Sequence, residues 1–230
     1  MSAMHTRLSR RAALLLSAAA VTVGGVAAAV PGAAHADDTS LLRAAVAAAP
    51  SAREIITVSA PSTSSTTAQL SAWIPGSSTW TRVFGPINAR LGSQGMGVAS
   101  DTVPRTPMGV FGLDEAFGRQ PNPGTSMPYS QVTARDWWDG NPKSPTYDRH
   151  VVGADPGPGS ENLYNAGPVY DYAVHFNENP THTPGKGSAF FLHVTDGTPT
   201  EGCVAVDRAS MIALLKWLNP AYQPVISIGL

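Results

Sequence analysis

Apolar residues first recur at helical spacing: Leu42, Ala45, Val46 and Ala49 share one face of residues 39–49, with Pro50 as the stop. That spacing predicts a short docking helix or lead-in. The period then changes to two. Residues 55–58 read as a strand, and Ala68, Leu70, Ala72 and Ile74 alternate with Gln69, Ser71 and Trp73 as in a half-buried strand. Residues 79–84 look similar, Pro75-Gly76 between them fits a hairpin, and the polar run 61–67 reads as a turn. From 112 to 167 prolines, among them Pro121, Pro128, Pro145 and Pro156, break any long element. An irregular region of that length in a compact domain usually shapes a binding surface. Trp137, Trp138 and Tyr147 either line such a surface or form a satellite hydrophobic cluster.

Regular periodicity then returns. Tyr170, Tyr172, Val174 and Phe176 are expected on one face of a strand, with Asp171, Ala173 and His175 opposite. Phe190, Leu192 and Val194 likewise share a face, leaving Ala189, Phe191 and His193 on the other. Asp207 is placed to cap a helix whose Met211, Leu214, Leu215 and Leu218 follow i, i+3, i+4, i+7 spacing up to Asn219-Pro220. Residues 225–228 form a last strand. Many short strands with two helices predict a mainly β, β-sandwich-like domain.

Composition changes the picture at the N-terminus. Arg7, Arg10 and Arg11 precede an apolar run from 12 to 30 and then Ala34-His35-Ala36, the order of an export signal. Cleavage is expected after Ala36, and the paired arginines after Ser9 suggest the twin-arginine route. The organisation expected is a signal over 1–36, a helical lead-in over 37–53 and a catalytic domain over 54–230. The remaining 194 residues suffice for one domain with a real core. Three of the 15 basic residues lie in the signal, leaving 12 against 16 acidic ones, a net charge near −4 that argues against nucleic acid as partner. No further apolar stretch reaches the length of a membrane span.

Cys203 is the only cysteine in the chain. Exported proteins normally use cysteine in disulfide pairs, so a lone thiol is either a buried small hydrophobe or a working nucleophile. His193 stands ten residues upstream, across the turn-forming stretch Asp196-Gly197-Thr198-Pro199. If the flanking strands pair as an antiparallel hairpin about Thr198, His193 and Cys203 lie directly opposite, with Cβ atoms roughly 4.5–5.5 Å apart. An imidazole there would lower the thiol pKa and serve as base. Thr200, Glu201 and Gly202 are the candidate substrate-binding and oxyanion positions, Gly202 because it permits close backbone approach beside the Cys203 N–H. Ser-x-x-Lys is absent, which excludes serine transpeptidases. The histidines and Cys203 show no recognised metal-ligand spacing, so neither a metal nor a cofactor is expected.

The segment ending Thr200-Glu201-Gly202-Cys203 resembles the active-site segment of the L,D-transpeptidase catalytic domain, whose members remodel peptidoglycan with a cysteine nucleophile. Thr106-Pro107-Met108-Gly109-Val110-Phe111 looks like that family's Thr-Pro-x-Gly-x-Phe strand opening. Residues 172–177 and Gly185-Lys186-Gly187-Ser188 look like segments of its actinobacterial-type members. The resemblance implies Cys203 as nucleophile, His193 as base, stem peptides as substrate and acylation by carbapenem-type inhibitors. Glu201 stands where the family usually has histidine, and Ala205 where it often has arginine. The alternative reading is a non-catalytic secreted β module that binds wall polymers.

Overall fold

Period-2 segments become the strands of one continuous sheet in the computed structural model, which describes residues 36–230. They are β1 (Ile55–Ser59), β2 (Thr67–Pro75), β3 (Trp80–Arg90), β4 (Gly109–Gly118), β5 (Ala173–Asn177), β6 (Phe191–Val194), β7 (Val204–Val206) and β8 (Val225–Gly229). Their spatial order is β5-β6-β7-β3-β2-β1-β8-β4, and β4 pairs back onto β5. The expected mainly β domain therefore has its two layers joined into a ring. Closure removes both free edges, the usual point of unwanted strand addition. A further strand, Tyr129–Gln131, adds to β4 in parallel outside the ring.

Side-chain alternation fixes which residues face the main core. Ile56, Val58, Leu70, Val174, Phe176, Leu192, Val204 and Ile226 are buried together there. Helix α2 (Arg208–Trp217) adds Met211, Leu214, Leu215 and the following Leu218 to the same cluster. As expected from its sequence, Asp207 caps this helix, its carboxylate accepting from the Ser210 N–H at 3.0 Å. Helix α1 (Ala36–Ala48) docks across β1 and β8. Leu42 and Ala45 pack there on Ile55, Trp73 and Val225. Asp38 is buried and accepts from the Thr57 hydroxyl at 2.7 Å, and Thr57 in turn accepts from the Trp73 indole N–H at 2.9 Å. The lead-in is thus tied into the domain by polar as well as apolar contacts. The export-signal reading falls on residues 1–36, nearly all of them outside the described residues. No helix among the described residues is long and apolar enough to cross a membrane.

Two local expectations need correction. Tyr170 closes a short 3-10 helix (Gly167–Tyr170) rather than opening the next strand, so it leaves the Tyr172/Val174/Phe176 face and joins a second cluster. Strands β6 and β7 are parallel, not an antiparallel hairpin: Leu192 pairs with Val204, His193 with Ala205 and Val194 with Val206. The connecting residues double back past the end of β3, where Thr200 bridges to Gly92 and its N–H donates to the Leu91 carbonyl at 2.8 Å. Thr198 is a point on that loop rather than the tip of a two-strand hairpin.

Candidate active site

The proline-rich middle of the chain supplies the lid over one face of β5–β7. Strands Asp136–Trp138, His150–Val152 and Glu161–Asn162 form a separate small sheet with Asp136–Trp138 in the centre. Trp138 reaches down to the Phe191 ring at 5.0 Å, edge to face, and belongs to a satellite cluster with Phe117, Tyr170, Phe191 and Cys203. Of the two sequence-based readings of the tryptophan region, Trp138 fits the satellite cluster, whose Cys203 lines a cleft.

The cleft, about 190 Å³, opens over Cys203 and is bordered by Asp101, Glu161, Ser188, Ala189, Glu201 and Gly202. Cys203 is buried at its base, 8% exposed. Its sulfur accepts the Phe191 N–H at 3.3 Å and lies 3.5 Å from the Ala189 carbonyl. Ala189 has φ +61°, a left-handed conformation uncommon for a residue with a Cβ. Backbone hydrogen bonds hold the thiol's own residue in place. The hydroxyls of Thr200 and Thr106 both donate to the Cys203 carbonyl, at 2.7 and 3.2 Å. Thr106, the first residue of the Thr-Pro motif, also accepts the Gly92 N–H at 2.8 Å. A motif 97 residues away in sequence is therefore a clamp on the cysteine backbone.

The candidate site residues are brought together, though not as the hairpin would have had them. His193 points to the same sheet face as Cys203 but lies level with Ala205, two pairs further along, while Cys203 is level with Phe191. The His193 Nδ1 bonds to the Val194 carbonyl at 2.9 Å, and a second main-chain carbonyl, that of Val169, also acts on the ring. No hydrogen bond joins His193 to Cys203 among the described residues. Tyr170 packs beside both: its ring meets His193 edge-on at 5.3 Å between centroids, and it shares the satellite cluster with Cys203. Thr200 and Gly202 serve the turn itself, because the Gly202 N–H donates to the Thr200 hydroxyl at 3.1 Å. Glu201 stays exposed at the rim.

Burial among aromatic rings pushes the Cys203 thiol well above its ordinary range, and the nearby Glu161 and Glu178 carboxyls add to that. The lowered thiol pKa expected from the hairpin is overturned: the imidazole that would have lowered it is not in contact. His193 itself is pushed down by burial. The other histidines of the region pair with aspartates instead, His150 with Asp136 and His175 with Asp114 at 2.8 Å each, and His182 with Asp148 at 3.3 Å.

Sequence reasoning missed Glu161 and Tyr170. Glu161 sits on the small sheet opposite Trp138 and accepts the Tyr170 hydroxyl at 2.9 Å. Burial raises it to about 7, and raises Glu178 to about 9. Away from the site, burial also raises Glu54 to about 7. These three carboxyls hold protons in the folded chain at pH values where the unfolded chain has released them. Stability from them is fully present below the ordinary glutamate range and is lost as pH rises through 7 and 9. The thermal midpoint is therefore expected to be higher at pH 5 than at pH 9, with Glu178→Gln flattening the fall. A midpoint that rises between those values in wild type would contradict this.

Residues 63–226 match the family model YkuD, described as the L,D-transpeptidase catalytic domain. A search of curated proteins gave no match. Among solved structures, that of the helical cell shape determining protein Pgp2 from Campylobacter jejuni is similar, at 11% identity and a TM-score of 0.38. The match covers 76% of this chain and 47% of that one, so the chain spans about half its length.

Proposed function

Because the chain belongs to the L,D-transpeptidase catalytic-domain family of peptidoglycan enzymes, we propose that it is an exported cysteine acyltransferase acting on stem peptides. Cys203 attacks a peptide carbonyl, the terminal D-amino acid leaves, and a thioester remains on the protein. An amine of a neighbouring stem resolves the thioester to give a cross-link; water resolves it to give L,D-carboxypeptidase activity. The observation that carries this reading is the chain's single thiol at the base of a cleft, with its backbone clamped by Thr106 and Thr200. His193 is the imidazole on the nucleophile's side of the sheet, packed behind Tyr170. Gly202 and Glu201 border the cleft beside Cys203, where an oxyanion would develop as the thiol attacks.

A second reading, a non-catalytic module that binds wall polymers, is favoured by the raised thiol pKa and the absence of a His193–Cys203 hydrogen bond. Intact-mass measurement after incubation with purified muropeptides separates the two. The expected result is a thioester adduct on Cys203 with release of the terminal D-amino acid, and a carbapenem adduct on the same residue. Tight muropeptide binding with no adduct from either donor or drug would establish the binding module.

A further inference from the structure

Helix α1 covers the outer face of β1 and β8, and the satellite cluster covers that of β5 and β6. Between them a strip of the sheet stays open as a groove of about 1000 Å³, far larger than the cleft of about 190 Å³ over Cys203 and sharing no lining residue with it. Alternation decides its floor. Ala68, Leu70 and Ala89 turn into the main core, so Thr67, Gln69, Asn88 and Arg90 turn outward. Strand pairing sets Ser59 beside Gln69 and Gln69 beside Asn88. The β3–β7 and β6–β7 pairings carry the row on through Asp207 to Thr195. Neighbouring strands lie about 4.8 Å apart, so this polar row is roughly 19 Å long.

The chemistry of the row selects among ligands. Gln69 Nε2 donates to Asn88 Oδ1 at 2.9 Å, which leaves Gln69 Oε1 as an acceptor and Asn88 Nδ2 as a donor side by side. Together they complement one amide group, an N–H and a C=O. Arg90 is the one cation lining the groove, half-buried and without a hydrogen bond or ion pair among the described residues. The carboxylates at either end are already engaged, Asp38 by Thr57 and Ser71 and Asp207 by Ser210. A polyanion calls for a cluster of cations and meets one. A peptide strand adds at a free sheet edge, and β1, β2 and β3 are each paired on both sides. An amphipathic helix needs an apolar floor, and this row is polar.

A neutral polymer bearing hydroxyls and amides fits. We propose that the groove binds the glycan strand of peptidoglycan, a chain of N-acetylated sugars. Gln69 and Asn88 read an acetamido group, and Arg90 donates to sugar oxygens. The inference rests on peptidoglycan being the substrate, but not on Cys203 being the nucleophile.

The test is titration of the protein with chitotetraose, a peptide-free tetramer of N-acetylglucosamine, followed by backbone amide NMR shifts. Saturable shifts are expected at residues 59, 67–69, 87–90 and 195–197. Cellotetraose, which has the hydroxyls but no acetamido groups, is expected to bind about 10-fold more weakly. Gln69→Ala combined with Asn88→Ala should weaken chitotetraose by about the same factor and leave cellotetraose nearly unaffected. Both side chains are exposed, and a thermal melt within a few degrees of wild type shows that the double variant is folded. Equal affinity for the two sugars, shifts confined to the surroundings of Cys203, or no saturable shift would each overturn the proposal. A concentration-dependent dimer in sedimentation that Asn88→Arg dissociates would assign the face to a second copy of the chain instead. The muropeptide adduct on Cys203 is read separately. An adduct without sugar binding keeps the enzyme and removes the groove, whereas sugar binding without an adduct keeps the groove and removes the nucleophile.

Discussion

Cys203→Ala is expected to abolish acyl-enzyme formation and cross-linking, a loss on the order of 10⁴-fold or more, since no other thiol is present to form the covalent intermediate. The fold should survive. Cys203 sits at the margin of the satellite cluster, and the main cost is the Phe191 N–H, which loses the sulfur it donates to. Leaving such a donor unpaired costs about 1–3 kcal/mol. Cys203→Ser keeps an acceptor at that point, so it should recover most of the stability while remaining without acyl transfer. Turnover of muropeptide followed by chromatography, together with a denaturant melt, measures both quantities. Cross-linking retained by Cys203→Ala would remove the nucleophile assignment outright.

The second large effect is expected from Gly202→Ala. Gly202 has φ +144°, and a Cβ there would lie 2.6 Å from Phe190 Cε1 and 3.1 Å from the Arg105 carbonyl oxygen. Phe190 is buried and packs on the Phe176 ring, 6.0 Å between centroids, so it has little room to give way. Overpacking at such a site costs about 1–3 kcal/mol, and forcing alanine into positive φ adds roughly 1 kcal/mol more. Relief has to come from the backbone at 202–203, the segment whose carbonyl Thr106 and Thr200 hold. A displacement of about 1 Å at a nucleophile costs on the order of 10²-fold in rate. Denaturant melts and the muropeptide acylation rate should therefore fall together in this variant. A Gly202→Ala protein with wild-type stability and rate would show that the turn does not position the thiol.

The short connection misled the hairpin expectation for a definite reason. Parallel neighbours usually need a dozen or more connecting residues, and the stretch between His193 and Cys203 offers fewer. Residues 198–203 manage the reversal by running against the end of β3, where Gly92 and Thr200 bridge and Ser93 N–H donates to the Thr200 carbonyl at 2.8 Å. Nothing in residues 195–203 announces that β3 is there to be followed. The face assignment of His193 and Cys203 was nonetheless right, because side-chain alternation holds whichever direction the partner strand runs.

Sequence alone determined the properties that depend on local order along the chain. Strand and helix periods, the Asp207 cap, the lone cysteine after glycine and the Thr106-Pro107 motif can all be read without knowing where the chain goes. The Thr106-Pro107 motif and the segment ending at Cys203 resemble the L,D-transpeptidase catalytic domain, and that family's model matches residues 63–226. Only the tertiary structure decided the direction of β7 against β6, the hold of Thr106 on the Cys203 carbonyl, and the hydrogen bond between Tyr170 and Glu161. It also reversed the expected thiol shift. These are properties of distance and desolvation between residues far apart in sequence. Periodicity fixes which face a side chain takes, whereas the closing of the ring and the folding-over of the small sheet fix what it meets there.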